Sequence, residues 1–522
     1  MTIFFYPEII QNSKTDGLYP HTSARRSSAG DQVMQKRVVA ALIVFWAAAV
    51  THSLGACHAV GATATGDGSG SNWSNRMKSL PSTLIRGDVY YLADGDYGKY
   101  TFSTANSGTI RITIKKAQAY DYGRSSDGCS NDISAGWNQS TMGAGQANWG
   151  EFYGSGSTPQ PGYLTLDGNG KSTIPGCGIS PSTLTSSSDC GLKITASIGQ
   201  DSDFDIGQNN NDGQHRSPSW TIKYVEIQGG GDSNNGAQSE EEIRCRGACD
   251  NFLVDHVYFH DSGCDFFKIP WTTSFIVQNS YFKQNKSSST CHGQLWYSEV
   301  NVSNVDFHSN IIQDIQGTGI WVCLTGCQAS NFTIYNNVIW RPSGSARPGT
   351  SNGIFSCINP GNRCTNWSFI GNDVINYTAD YAGALGTHCD GNPNTFIWQN
   401  NLFYGITPSD RIDFQLCGGS LTEGNNTYLN SGTPKSGTNS TDIIIPTGAP
   451  NPFADWPNVV FTLASQNANW TGGQALTAPY NVDFMGNARP GSDGVWYRGA
   501  FQFSGNTSVP APPTSLKGVV VP

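Results

Sequence analysis

The chain is predicted to be all-β: a solenoid of short stacked strands carrying long surface loops. Three observations predict it. One phrase returns six times between Asp250 and Gly405, as Phe252–Phe259, Phe275–Phe282, Val305–Ile312, Phe332–Ile339, Trp367–Ile375 and Phe396–Phe403. Each copy alternates apolar and polar residues over too few positions for a helix, which is the period of a strand. Each is interrupted at the same place by a polar pair rich in Asn, which reads as a tight bend between two strands. The returning residues His256, Asn279, Ser309, Asn336, Asn372 and Asn400 lie 23–36 positions apart, the length of a solenoid repeat.

Asn tolerates the left-handed backbone better than other residues with a Cβ, so a bend repeated on every turn favours it. If each repeat is one rung, these side chains stack at the strand spacing of roughly 4.8 Å and form a hydrogen-bonded ladder. The flanking apolar residues then point inward, and no rung can bury them alone. An antiparallel sandwich also has many short strands, but it would show turn signals every 8–12 residues or so.

These repeats resemble those of right-handed parallel β-helix proteins, the pectate-lyase-like superfamily. Leu80–Tyr97 and Gly108–Ala117 are similar to the first coil of secreted members, and Asp483–Pro490 and Arg498–Phe501 to their closing segment. The resemblance runs from about Gly66 onward and is specific for fold. It says less about activity, because this architecture hosts many functions.

Taken in order, residues 1–62 read as an N-terminal extension and signal peptide. Met34–Arg37 leads into the apolar run Val38–Val50, too short for a comfortable membrane span, and Met34 is the expected true start. Cleavage is expected after Ala62. Alternatively, Leu54–Cys57 resembles a bacterial lipobox, which would leave Cys57 lipidated and the protein held at a membrane. Residues 63–505 are expected to be one β-helix domain, and residues 506–522 a Pro-rich tail. The expected protein is a monomer, secreted or at the cell surface.

Of 522 residues 13% are charged and 61 are Gly, with a net charge of −9. The acidic balance argues against nucleic acid as a partner. The 14 cysteines include the close pairs Cys177/Cys190, Cys245/Cys249, Cys323/Cys327 and Cys357/Cys364, which read as loop staples in an exported chain. Cys323 and Cys357 occupy the same place in successive rungs, so a bond between rungs competes with that pairing. None shows paired zinc spacing with His.

Charge gathers in the non-repeating part of the rungs. Aligned on the bend, His260, Lys283 and Gln313 share a column, with Asp261, Gln284 and Asp314 beside them. Aligned on the next strand, Phe267, Trp321 and Phe355 form a file that either faces outward as a platform for sugar rings or, one register on, stacks in the core. Trp296 shares this ambiguity. The resemblance implies an extracellular polysaccharide as partner and, for lyases, a basic residue that removes a proton beside a uronate carboxylate, often with Ca²⁺. Lys268, His292 and Lys283 are the candidate catalytic residues. His260, Phe267, Trp296, Trp321, Phe355 and Arg244 are the candidate substrate contacts, and Asp265 and Glu299 the candidate Ca²⁺ ligands. The bland reading of each charged residue is a solvated surface role.

A glycoside hydrolase would instead need paired carboxylates, such as Asp261 with Asp265 or Asp265 with Glu299. Cys264–Phe266, Cys291–Gly293 and Arg411–Asp413 only echo the polygalacturonase pattern, lacking its paired Asp and its Arg-Ile-Lys. A non-catalytic glycan binder or structural spike is the third reading. The groove is expected along the rungs from Asp250 to Phe355.

Overall fold

The computed structural model describes residues 55–155, 161–172, 176–177, 189–195, 202–207, 213–229, 241–285, 293–317, 319–324, 326–345, 353–358, 361–377, 387–389, 393–407, 412–434 and 438–503. The apolar run after Met34, His292 and the Pro-rich tail lie outside them. The described chain is nearly all strand, in one 20-stranded and one 12-stranded sheet, both paired in parallel, and a two-stranded antiparallel ribbon. This is a solenoid-like stack, and parallel pairing excludes the antiparallel sandwich.

The six phrases lie on one another in the expected way. Their first halves pair as Phe252, Phe275, Val305, Phe332, Trp367 and Phe396 in one file, and Val254, Val277, Phe307, Ile334, Phe369 and Trp398 in the next. All twelve are buried. Phe252 stacks on Phe275 at 4.6 Å, Phe332 on Trp367 at 4.3 Å and Phe369 on Trp398 at 4.5 Å. Each such side chain contributes about 1.5–3 kcal/mol by leaving water, and the contribution exists only because the next rung covers it.

The bend divides its labour between two neighbours. His256, Asn279, Ser309, Asn336 and Asn400 take the left-handed conformation, with φ between 49° and 57°. In the fifth rung that role falls to Gly371 (φ 62°), not Asn372. The ladder is built by the following residue. Asn310, Asn337, Asn372, Asn401 and Asn426 are fully buried, and each of the first four donates its backbone N–H to the next side-chain oxygen at 2.9–3.0 Å. Their amide nitrogens also donate to backbone carbonyls, for example Asn337 Nδ2 to Phe307 at 2.9 Å. The expected ladder therefore sits one residue later than the returning positions. The left-handed residue turns the chain and leaves its neighbour facing inward.

The stack begins earlier than expected. Strand Cys57–Val60 pairs in parallel with Val89–Leu92, which pairs with Ile112–Lys116. Cys57 is buried and bonded to Cys129. The first strand lies ahead of the expected boundary at residue 63, and cleavage after Ala62 would remove it. Lipidation of Cys57 would need the same sulfur that is bonded here to Cys129. The four predicted staples form within their own turns, so Cys323 and Cys357 sit in register without bonding to each other. Among the described residues no cysteine is free. Five disulfides of this kind point to an oxidising, extracytoplasmic compartment.

At the far end the chain folds back across the outer face of the 12-stranded sheet. The ribbon Phe453–Asp455 and Val460–Leu463, with Trp470, Phe484 and Tyr497, buries Ile311, Val338, Trp340, Ile375, Leu402 and Leu429. Arg498 donates to the Asn426 carbonyl at 2.7 Å, pinning this segment to the last Asn rung.

Candidate functional site

The predicted residues fall into three places. The aromatics are inside. Phe267, Trp296, Trp321 and Phe355 do form one file in register, but all are fully buried. They pack on Phe275, Phe307 and Trp367. The file is real and its direction is inward, so it is no sugar platform. The same alternation points the residue after each of the first three, Lys268, Tyr297 and Val322, away from that core.

The second place is the outer face of the larger sheet. Asp205, Arg244, Lys268 and Tyr297 are successive register partners on strands Ser202–Gly207, Glu241–Cys245, Phe267–Thr272 and Trp296–His308. Lys268 is the hub. Its Nζ lies 3.3 Å from Glu241 Oε1 and 3.6 Å from Glu299 Oε1, and 5.6 Å from the centre of the Tyr297 ring. Arg244 Nη1 reaches the other oxygen of Glu241 at 3.5 Å. Arg246 Nε meets both oxygens of Asp205 at 2.7 and 2.6 Å. Asp265, wholly buried, accepts the Gln294 N–H at 2.6 Å. Burial, and after it the charge of Glu241, pushes the Asp265 carboxyl up to about 8. Burial likewise raises Glu241 against the pull of Lys268 and Arg244, and Asp205 against that of Arg246. Four carboxylates thus crowd three cations. Glu241, Asp265 and Glu299 are all-oxygen donors, the chemistry a hard cation takes. Among the described residues, however, they do not bring three ligand atoms within reach of one ion. Burial above all keeps the Asp265 carboxyl protonated, so the set does not fit Ca²⁺.

Of the predicted site residues, Arg244, Asp265, Lys268 and Glu299 therefore come together. Tyr297, Glu241, Asp205 and Arg246 complete the group and were not among the predicted contacts. Glu241 and Arg246 flank Arg244 in the sequence and are legible there as further charge at the edge of this region; aligning the rungs upstream of Asp250 on the same strand would also have found Asp205.

The third place is the smaller sheet. His260 and Lys283 are register partners there, with Gln313 next, as the shared column predicts. His260 Nδ1 meets Asp261 Oδ2 at 2.7 Å, and Nε2 meets Glu226 Oε1 at 3.2 Å. Glu226 also takes Lys193 at 2.7 Å and Gln146 at 2.8 Å. Burial opposes the imidazolium, but the bonds to Asp261 and Glu226 outweigh it and raise His260. Against its own burial, His260, Gln146 and Lys193 hold Glu226 down to about 2. This ion-pair chain ties neighbouring rungs together, and it lies on a different sheet from Lys268. Asp261 is thus ion-paired to His260 on the smaller sheet.

Cys323, Cys357 and Cys364 lie close enough to suggest a metal, but all three sulfurs are in disulfides. Compared with protein-family models, curated proteins and solved structures, the chain matches none.

Proposed function

We propose that this chain is an exported right-handed parallel β-helix of the pectate-lyase-like kind that cleaves an acidic extracellular glycan by β-elimination. One observation carries the reading: two cations on adjacent rungs, Arg244 and Lys268, held in register on the outer face with a carboxylate, Glu299, 3.6 Å from the Lys268 nitrogen. The export signal is the segment after Met34, with cleavage upstream of Cys57.

A proton beside a carboxylate is removable only if the charge that develops is met by fixed positive groups. Arg244 holds the substrate carboxylate in this reading. Lys268, ion-paired with Glu241 and Glu299, is the acid in the reaction. Glu299 takes the proton next to the substrate carboxylate, and the freed electron pair becomes the carbon–carbon double bond. The bond to the leaving glycosidic oxygen breaks, and Lys268 protonates that oxygen. Glu299 then returns its proton to Lys268 across their ion pair, and both groups are reset.

The test is incubation with a panel of uronate polymers, with and without a chelator. Ultraviolet absorbance from the unsaturated product supports elimination. New reducing ends without absorbance would mean hydrolysis, and retention without either would mean a binder.

A further inference from the structure

Among the described residues, the outward face around Lys268 is bordered on three sides by buried positions. Along the stack it ends below at Asp205, 2% exposed, and above at Tyr297 and Val322, 9% and 0% exposed. The following outward position, Ser356, and Leu324 beside the file are buried as well. Back along the strands it ends at Glu241 and Asp265, both buried. Solvent reaches the cluster at Arg244, Lys268 and Glu299, whose side chains are each 19% exposed. Among the described residues, the surface opens from Glu299 through half-buried Val300 to exposed Asn301 on the same strand. With rungs spaced about 4.8 Å apart, the accessible patch is two to three rungs wide.

A polymer bound through its middle must leave a site in two directions. We infer that this site takes the terminus of an acidic glycan chain, entering along the strand from the Asn301 side, so that the protein acts on chain ends and short uronate oligosaccharides. Asp205 below and Tyr297 with Val322 above are the stops that prevent a chain from running along the stack through the cluster. The inference rests on the placement of substrate at Arg244 and Lys268, but it does not require that elimination follow.

The experiment uses length-fractionated galacturonate, mannuronate and hyaluronan chains, titrated by calorimetry into the Glu299→Gln variant, which keeps both cations and lacks the proposed base. The expected stoichiometry is one protein per chain at every length, with similar affinity for short and long chains. In parallel, wild-type protein should release unsaturated mono- or disaccharides from the earliest time points, with little loss of viscosity per double bond formed. Several proteins on one long chain, or viscosity collapsing ahead of absorbance, would overturn the inference while leaving elimination intact. One protein per chain with no absorbance would keep the inference and sink the lyase. If no uronate chain of any length binds, both fall.

Discussion

At the scale of single residues, direction decides role. Phe267 and Lys268 are neighbours in the chain, yet one is core and the other is the hub of the charged cluster. Replacing Lys268 with Met should lower kcat for double-bond formation by about 10²–10³-fold, the usual loss when one preorganised charge is removed. Lys283→Met, on the other sheet, should leave the rate within about twofold, and steady-state kinetics on both variants checks this. Asp265 supplies a pH prediction. Its carboxyl is raised to about 8 in the folded protein, against about 3.9 unfolded. The native state therefore holds a proton that the unfolded state has lost between those values, and stability declines as pH rises through that window. Asp265→Asn should flatten the decline, melting higher than wild type above pH 8 and no higher near pH 4. His260, also raised, adds stability below its unfolded value near 6.5 that is lost as pH rises through its folded one. Thermal melts across pH measure both.

At the scale of the element, the two residues of each bend have different energetics. Asn337→Ala would strand the backbone N–H of Asn310 and one of its two amide hydrogens, which both end on Asn337 Oδ1 at 3.0 Å, while the other amide hydrogen keeps the Val277 carbonyl. Buried donors without partners cost about 1–3 kcal/mol each, so a loss of about 2–5 kcal/mol is expected. Asn331 is also left-handed (φ 56°), but exposed. Asn331→Gly should change stability by no more than about 1 kcal/mol, since Gly adopts that conformation freely. Chemical denaturation separates the two cases. The bend was legible in the sequence because Asn is the cheapest non-Gly residue there. Its partner was not, because two adjacent Asn look alike until one is seen to face the core. Likewise the aromatic file was legible as a file, and its direction was not, since a strand shifted by one residue exchanges its faces.

At the scale of the whole molecule, stability is passed from rung to rung, so the ends matter most. The Cys57–Cys129 bond closes a separation of 72 residues around the first strands. Replacing both by Ala should cost about 4 kcal/mol in the chain-entropy account, with proteolysis starting in the first coils. What the sequence by itself determined is the repeat: its period, its strand character, its bends and the vertical pairing of residues some 30 positions apart. These are written in local alternation and spacing, which a chain carries without reference to its neighbours. What only the tertiary structure decided is which face of each strand looks inward, which sheet holds each charge, and where the outer face is closed. Lys268, Arg244, Glu241, Asp265 and Glu299 meet because different strands turn the same way. His260 and Lys283 part from them because a left-handed residue at the bend has carried their strands onto the other sheet. Facing and closure depend on contacts between distant segments, and a period-two pattern is the same whichever side is covered.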